Sequence, residues 1–248
     1  MSKTILVTGA AKGIGRAIAL GMAQRGYDVA VNDLPATNAA LQSLANQIDT
    51  EGQRALVVPG DVSAKEDADA MVRRAIGELG QLDVLVNNAG VLSVSPFDEL
   101  TEAAWDKVFE VNAKGTFLVS QSVVPHMKER REGRIVHIAS IGGKRGGPGQ
   151  SHYCSSKGAV IELTRVMAME LGPFGITVNA VCPGIILTEM GRNNLGSQEA
   201  IDYWTDATAL KRLGEPEDVV GTVAFFASED SAYITGQSLN VCGGIIFY

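Results

Sequence analysis

Tyr153 and Lys157 stand four residues apart in the stretch SHYCSSKGAV, a spacing that puts a phenol and an ammonium on one face of a helix. A free phenol, with a pKa of about 10, is a poor base at neutral pH. Lowering it by two or three units takes roughly 3–4 kcal/mol of preferential stabilisation of the phenolate, and a lysine one turn away supplies part of that as a nearby cation. Such a pair can take the proton of an alcohol or return one to a carbonyl. Tyr-x-x-x-Lys also occurs by chance on helix surfaces, so the pair needs partners elsewhere in the chain. Ser140 is a candidate: it closes the apolar run GRIVHIAS, where its hydroxyl can hold a substrate oxygen against Tyr153. A nucleophilic role is not expected of it, because IASIGG lacks the G-x-S-x-G elbow and neither His137 nor His152 has an evident orienting acid.

A second candidate group lies near the N-terminus. VTGAAKGIGRAIA follows the first apolar run and opens an amphipathic pattern, with glycines at Gly9, Gly13 and Gly15. The G-x-x-x-G-x-G spacing departs from G-x-G-x-x-G, yet allows a tight turn, lets backbone N–H groups approach a pyrophosphate, and lets the helix pack close to the sheet. Asp33 ends the second run at about the distance where an acid meets the adenosine ribose. Its carboxylate would accept hydrogen bonds from ribose hydroxyls and repel a 2′-phosphate, favouring NAD over NADP. Lys12, beside the glycine turn, pulls toward the extra phosphate, so NADP stays possible; Asp33 carries more weight because it sits where that phosphate would lie.

The elements that must position these residues are legible as short β-branched runs: TILVTG, DVAVND, RALVVPGD, LDVLVNNAG, GRIVHIAS, GITVNAVCPG and SLNVCGG. Most lack polar alternation, as strands buried on both faces do. Helical patterns lie between them, the clearest being Ala68, Met71, Val72, Ala75, Ile76 and Leu79 on one face. Alternating strands and helices without a linker predict one doubly wound α/β domain of the Rossmann type over residues 1–248, with a mostly seven-stranded parallel sheet. Gly9, Asp33, Asp61, Asn87, Ser140 and Pro183 fall at or just past strand ends, so they are expected to converge on one edge of that sheet. Residues 186–213, which mix Gly, Asn and polar side chains with Tyr203 and Trp204, read as a long irregular lid.

Composition narrows the function classes. A net charge of −7 offers no basic stripe for nucleic acid. The densest basic run, KERRE at Lys128–Glu132, reads as a solvated helix C-terminus. Cys154, Cys182 and Cys242 are few and scattered, which implies neither a disulfide framework nor a metal site and fits a reducing compartment. Neither a signal peptide nor a membrane span is apparent, so a cytoplasmic protein is expected.

TGAAKGIG at Thr8–Gly15, NNAG at Asn87–Gly90, Asn112, Ser140, YCSSK at Tyr153–Lys157, and Pro183–Gly184 followed by Thr188 together resemble the short-chain dehydrogenase/reductase family. The resemblance spans essentially the whole chain and implies a nicotinamide dinucleotide, hydride transfer between alcohol and carbonyl, and a homotetramer or dimer. By that resemblance Gly9, Gly13, Ile14 and Gly15 hold the pyrophosphate, Asp33 the ribose, and Asp61 and Val62 flank the adenine. Asn88, Ala89 and Gly90 border the cofactor, as do Pro183 and Gly184, with Thr188 meeting the nicotinamide carboxamide. Asn112 is implied to anchor a water that links Lys157 to solvent; as a lone observation it also reads as a satisfied helix-interior amide.

The substrate pocket is expected around Ser140, Ile141 and Gly142, Gln150 and His152 before Tyr153, Val91–Val94, Gly184–Ile186 and the lid with Tyr203 and Trp204. Polar donors such as Gln150 and His152 favour a hydroxyl-bearing substrate. Two subfamilies compete. The resemblance to sugar, polyol and diol dehydrogenases rests on Asp33 and the C-terminal GGIIFY, whose Phe247 and Tyr248 in family tetramers can reach a neighbouring site. The 3-oxoacyl carrier-protein reductases, usually NADPH-dependent, are similar through YITGQSLNVCGG, but carry a basic residue before GITVN where this chain has Phe174 and Gly175. A regulatory nucleotide sensor on the same fold is the non-enzyme alternative; retention of Tyr153 and Lys157 weighs against it.

Overall fold

Most strands of this chain are buried on both sides, and the computed structural model, which describes residues 2–248, shows why. Seven parallel strands form one sheet in the order β3-β2-β1-β4-β5-β6-β7: β1 (Thr4–Val7), β2 (Asp28–Val31), β3 (Ala55–Val57), β4 (Val84–Asn87), β5 (Gly133–Ile138), β6 (Ile176–Pro183) and β7 (Ser238–Val241). Alternate residues of β1 face opposite cores. Ile5 and Val7 pack with Ile18 and Met22 of α1 (Gly13–Ala23), Leu41 and Leu44 of α2 (Asn38–Thr50), and Val219 and Val223 of α10 (Glu217–Ala227). Leu6 instead joins Met71 and Val72 of α3 (Lys65–Leu79), Leu118 and Val119 of α5 (Gly115–Arg130), and Leu171 of α7 (Ser151–Leu171). Helices on both faces explain the missing polar alternation.

The order of strands reverses between β1 and β4, where successive crossovers leave in opposite directions and open a crevice at the strands' carboxyl ends. The remaining helices are α4 (Glu102–Phe109), α6 (Gly142–Arg145), α8 (Glu189–Leu195) and α9 (Gln198–Ala207), of which α4, α6 and α8 give residues to the crevice. Between α4 and α5, Glu110–Lys114 form a π-helical turn.

One expectation is corrected. Residues 186–213 border the crevice but are not irregular, because most of them lie in α8 and α9. Thr188 caps the first of these by accepting from Gly191 N, and Ser197 caps the second by accepting from Ala200 N. The scattered Gly and Asn residues mask two short helices, each opened by a side-chain cap. Among the described residues no helix is long and apolar enough to cross a membrane.

Candidate active site

The residues past the strand ends meet along one cleft of about 500 Å³. At one end is the glycine turn. Gly9 and Gly13 adopt φ +64° and +56°, a region that L side chains rarely enter. A Cβ on Gly9 would lie 2.8 Å from Ala89 Cα, and one on Gly15 would overlap the Gly9 carbonyl and the Asn88 amide. Asn88 locks the turn from β4 by donating from Nδ2 to the carbonyls of Thr8 (2.9 Å) and Gly9 (3.0 Å). Gly9, Gly13 and Ile14 line the cleft, whereas Gly15 stands behind it and allows α1 to sit against the turn. Lys12, at the start of α1, makes no side-chain cap, which leaves first-turn N–H groups available to an anion.

Asp33 faces the same end. Its Oδ2 accepts from Ala11 N (3.1 Å) and its Oδ1 from Leu34 N (2.8 Å), so the carboxylate is fastened to the glycine turn. Asp61 and Val62 line the wall nearby. The Asp61 carboxyl is desolvated, but hydrogen bonds from Ser63 and the charges of Lys107 and Lys114 outweigh this and hold it below its usual range. Lys12, Lys107 and Lys157 are the cations among the described residues of the wall, and no arginine is among them. Lys12 is turned to Glu189 of α8, 2.7 Å away.

At the other end Ser140, Gly142, Gln150, Tyr153 and Lys157 line the cleft, opposite Asn88, Ala89 and Gly90 and beside Pro183, Gly184 and Thr188. Tyr153 and Lys157 occupy successive turns of α7, and Lys157 Nζ lies 5.9 Å from the phenol ring centre. The ammonium donates to the Ile138 carbonyl at the end of β5 (2.8 Å). Burial pulls its pKa down to about 8. Burial also pushes the Tyr153 phenol up, while hydrogen bonding from the Ser140 side chain draws it back. The chain alone therefore does not produce the lowered phenol expected from the Tyr-Lys spacing: loss of solvent outweighs the hydrogen bond with Ser140. Gly142 leaves room for these side chains, since a Cβ there would lie 3.3 Å from Ser140 Oγ and 3.5 Å from Tyr153 Cε1.

Asn112 is fully buried in the π-helical turn and stands behind the wall. It donates from Nδ2 to Val91 O and Ser156 Oγ, both at 3.0 Å, and its Oδ1 accepts from Val91 N at 2.8 Å. A Cβ on Gly90 would lie within 3.4 Å of both Asn112 Oδ1 and Lys157 Nζ, so the two meet at that glycine.

Of the residues expected in the substrate pocket, Ser93, Val94, Ile141, His152, Tyr203 and Trp204 do not line the cleft. His152 is fully buried and bonded to Ser93 Oγ (2.7 Å), because a step of one residue along α7 turns it away from the face of Tyr153. Tyr203 points outward at 67% exposure, and Trp204 packs under Arg145, 5.1 Å from its ring centre. Gln150 does line the cleft, where it donates to Asn194 Oδ1 of α8 (2.9 Å). Asn194 and Asn32 belong to the wall without having been singled out from the sequence. Asn32 precedes Asp33 at a strand end and was discoverable by position; Asn194 carries no local signal.

A family model described as enoyl-(acyl carrier protein) reductase matches residues 9–246. A 3-oxoacyl-[acyl-carrier-protein] reductase of Staphylococcus epidermidis is 41% identical over 245 residues, covering 99% of each chain. An L-rhamnose 1-dehydrogenase (NAD(P)(+)) of a Sphingomonas species is 41% identical over 244 residues, covering 98% of this chain and 96% of that one. The solved structure of a short-chain type dehydrogenase/reductase from Mycobacterium marinum superposes with a TM-score of 0.93 at 35% identity, covering 99% of this chain and 96% of that one.

Proposed function

The chain belongs to the short-chain dehydrogenase/reductase family, and on that premise we propose that it is an NAD-dependent dehydrogenase for a secondary alcohol of a small polar substrate: a sugar, polyol or diol. One observation carries this reading: a single cleft joins the Asp33 carboxylate, with no arginine beside it, to the Ser140–Tyr153–Lys157 group and the polar Gln150 and Asn194.

The residues fit a dinucleotide. Two positive-φ glycines open the floor of the cleft and an uncapped helix start faces it, which suits a pyrophosphate. Asp33 would receive the adenosine ribose, Asp61 and Val62 the adenine, and Thr188, Pro183 and Gly184 the nicotinamide end. Lys12 gives NADP little support because its ammonium is shared with Glu189. The oxidised nicotinamide, when bound, supplies the hydride acceptor and a positive charge.

Ser140 holds the substrate hydroxyl against Tyr153, whose Oη takes the hydroxyl proton. The phenol must be brought down from its raised value for this, and Lys157 contributes as a cation fixed by the Ile138 carbonyl. Asn112 braces the chain around Lys157 through Val91 and Ser156. The implied water relay would use a carbonyl lone pair, since both amide hydrogens of Asn112 are engaged by protein.

The Staphylococcus relative keeps a second reading in play, reduction of a 3-oxoacyl group carried by an acyl carrier protein, for which the family resemblance implies NADPH. A panel separates the two. NADH formation is measured with sugars, polyols and diols, and NADH and NADPH consumption with a short 3-oxoacyl thioester. Turnover of a polar alcohol with NAD is expected; turnover confined to the thioester and NADPH overturns the proposal. Cofactor binding with no turnover anywhere on the panel would support a nucleotide sensor.

A further inference from the structure

His152 has no place in the chemistry above, yet it is the buried polar side chain with the most unusual surroundings. Its Nε2 lies 2.7 Å from Ser93 Oγ, while its Nδ1 is buried without a hydrogen-bond partner among the described residues. Ser93 is exposed and stands just past Val91 and Leu92, which line the cleft, without lining it itself. The same loop is fastened a second time, where Ser95 N donates to the Gly149 carbonyl (2.9 Å).

The direction of the 2.7 Å hydrogen bond follows from the orphan nitrogen. If Nδ1 carried the proton, a buried N–H donor would be unpaired, among the least tolerated groups in a protein interior. His152 is the second residue of α7, and the N–H groups of a first helical turn form its positive end. A bare Nδ1 lone pair suits that field better than a second N–H. The proton therefore belongs on Nε2, which donates to Ser93 Oγ. With its oxygen serving as acceptor, Ser93 keeps its own O–H to give elsewhere, and the exposed side of the loop is where it can go.

We propose that Ser93, aimed by buried His152, is a substrate-binding hydroxyl that donates to an oxygen of the substrate away from the reacting carbon. This deepens the assignment of a polar alcohol substrate and rests on it. His152 is then a positioning residue rather than a substrate ligand, and the polarity it brings to the pocket is delivered through Ser93.

The test compares substrates that differ by one oxygen, butane-2,3-diol with butan-2-ol, and an aldohexose with its 2-deoxy analogue, at saturating NAD. In Ser93→Ala the kcat/KM preference for the oxygenated member should fall about tenfold, the loss of one hydrogen bond, mostly through KM and with the KM for NAD unchanged. His152→Phe should reproduce this, and His152→Gln, whose Nε2 can still donate, should restore it. The ¹⁵N shifts of His152 should report the Nε2–H tautomer. An unchanged preference in Ser93→Ala, an equal loss on both members of each pair, or an Nδ1–H tautomer overturns the role of Ser93. Failure of the unaltered protein to turn over any polar alcohol overturns the reading of the reaction itself, and the Ser93 assignment with it. Ser93→Ala is a surface change, so the answer does not depend on whether His152→Phe folds.

Discussion

Tyr153 and Lys157 illustrate how one site can oppose the charges it needs. Burial raises the phenol and lowers the ammonium to about 8, so the phenol stays neutral while the lysine keeps its charge at pH 7, and a further positive charge entering the cleft would favour the phenolate while weakening the ammonium. Tyr153→Phe removes the hydroxyl that would hold the proton and is expected to lower kcat by roughly 10³-fold or more, with NAD affinity within a few-fold of the parent by fluorescence titration. Near-normal turnover would refute the assignment. Asp33 calls for two variants, because it both carries charge and anchors Ala11 N. Asp33→Asn keeps an acceptor for the turn and should raise the NADP to NAD ratio of kcat/KM by about tenfold. Asp33→Ala should shift the ratio similarly while weakening both cofactors. A parent protein that already prefers NADP would refute the reading of Asp33.

At the level of elements, β4, α5, β5 and α7 are stitched by one buried chain of hydrogen bonds. Asn87 donates to Ser120 Oγ (2.9 Å), Ser120 meets His137 Nε2 (3.4 Å), His137 Nδ1 meets Thr164 Oγ1 (2.9 Å), and Thr164 donates to the Val160 carbonyl (2.8 Å). Since Thr164 spends its hydrogen on Val160, His137 donates from Nδ1 and accepts at Nε2, which makes it neutral. Burial, with a smaller push from Lys157, drives its pKa down to about 3. The unfolded chain takes up a proton near pH 6.5 that the folded chain refuses. The stability tied to His137 is thus complete above about pH 6.5 and is lost as pH falls toward 3. Urea unfolding should show about 2 kcal/mol lost through this group between pH 6.5 and 5. In His137→Gln the slope should flatten, even though stability at pH 7 falls; an unchanged slope would refute the account.

For the molecule as a whole, large apolar side chains remain outside the two cores. Phe117 of α5 and Val166 and Met169 of α7 are exposed at 43%, 39% and 70%, and Phe247 and Tyr248 of the C-terminal tail at 86% and 73%. A homotetramer is the expectation drawn from the family resemblance and would cover such side chains; light scattering should then return four times the mass of the chain, and a monomer at micromolar concentration would refute it. The architecture itself was legible in the residue pattern. Runs such as ILV and VLVN, short and β-branched without alternation, read as strands covered on both faces, and their alternation with helices leaves a parallel sheet as the economical solution. Gly9, Asp33, Ser140, Tyr153 and Lys157 were legible too, because each sits at a strand end or at a helical spacing that chain geometry brings to one edge. Sequence could not show which neighbours reach across the fold. Only the tertiary structure decided that Gly15 packs rather than lines the cleft, that Gln150 meets Asn194, that His152 faces Ser93, and that Lys157 is held by the Ile138 carbonyl. The first three depend on the packing of separate segments and the last on a backbone atom, whose chemistry is the same at every residue and is distinguished only by where the fold puts it.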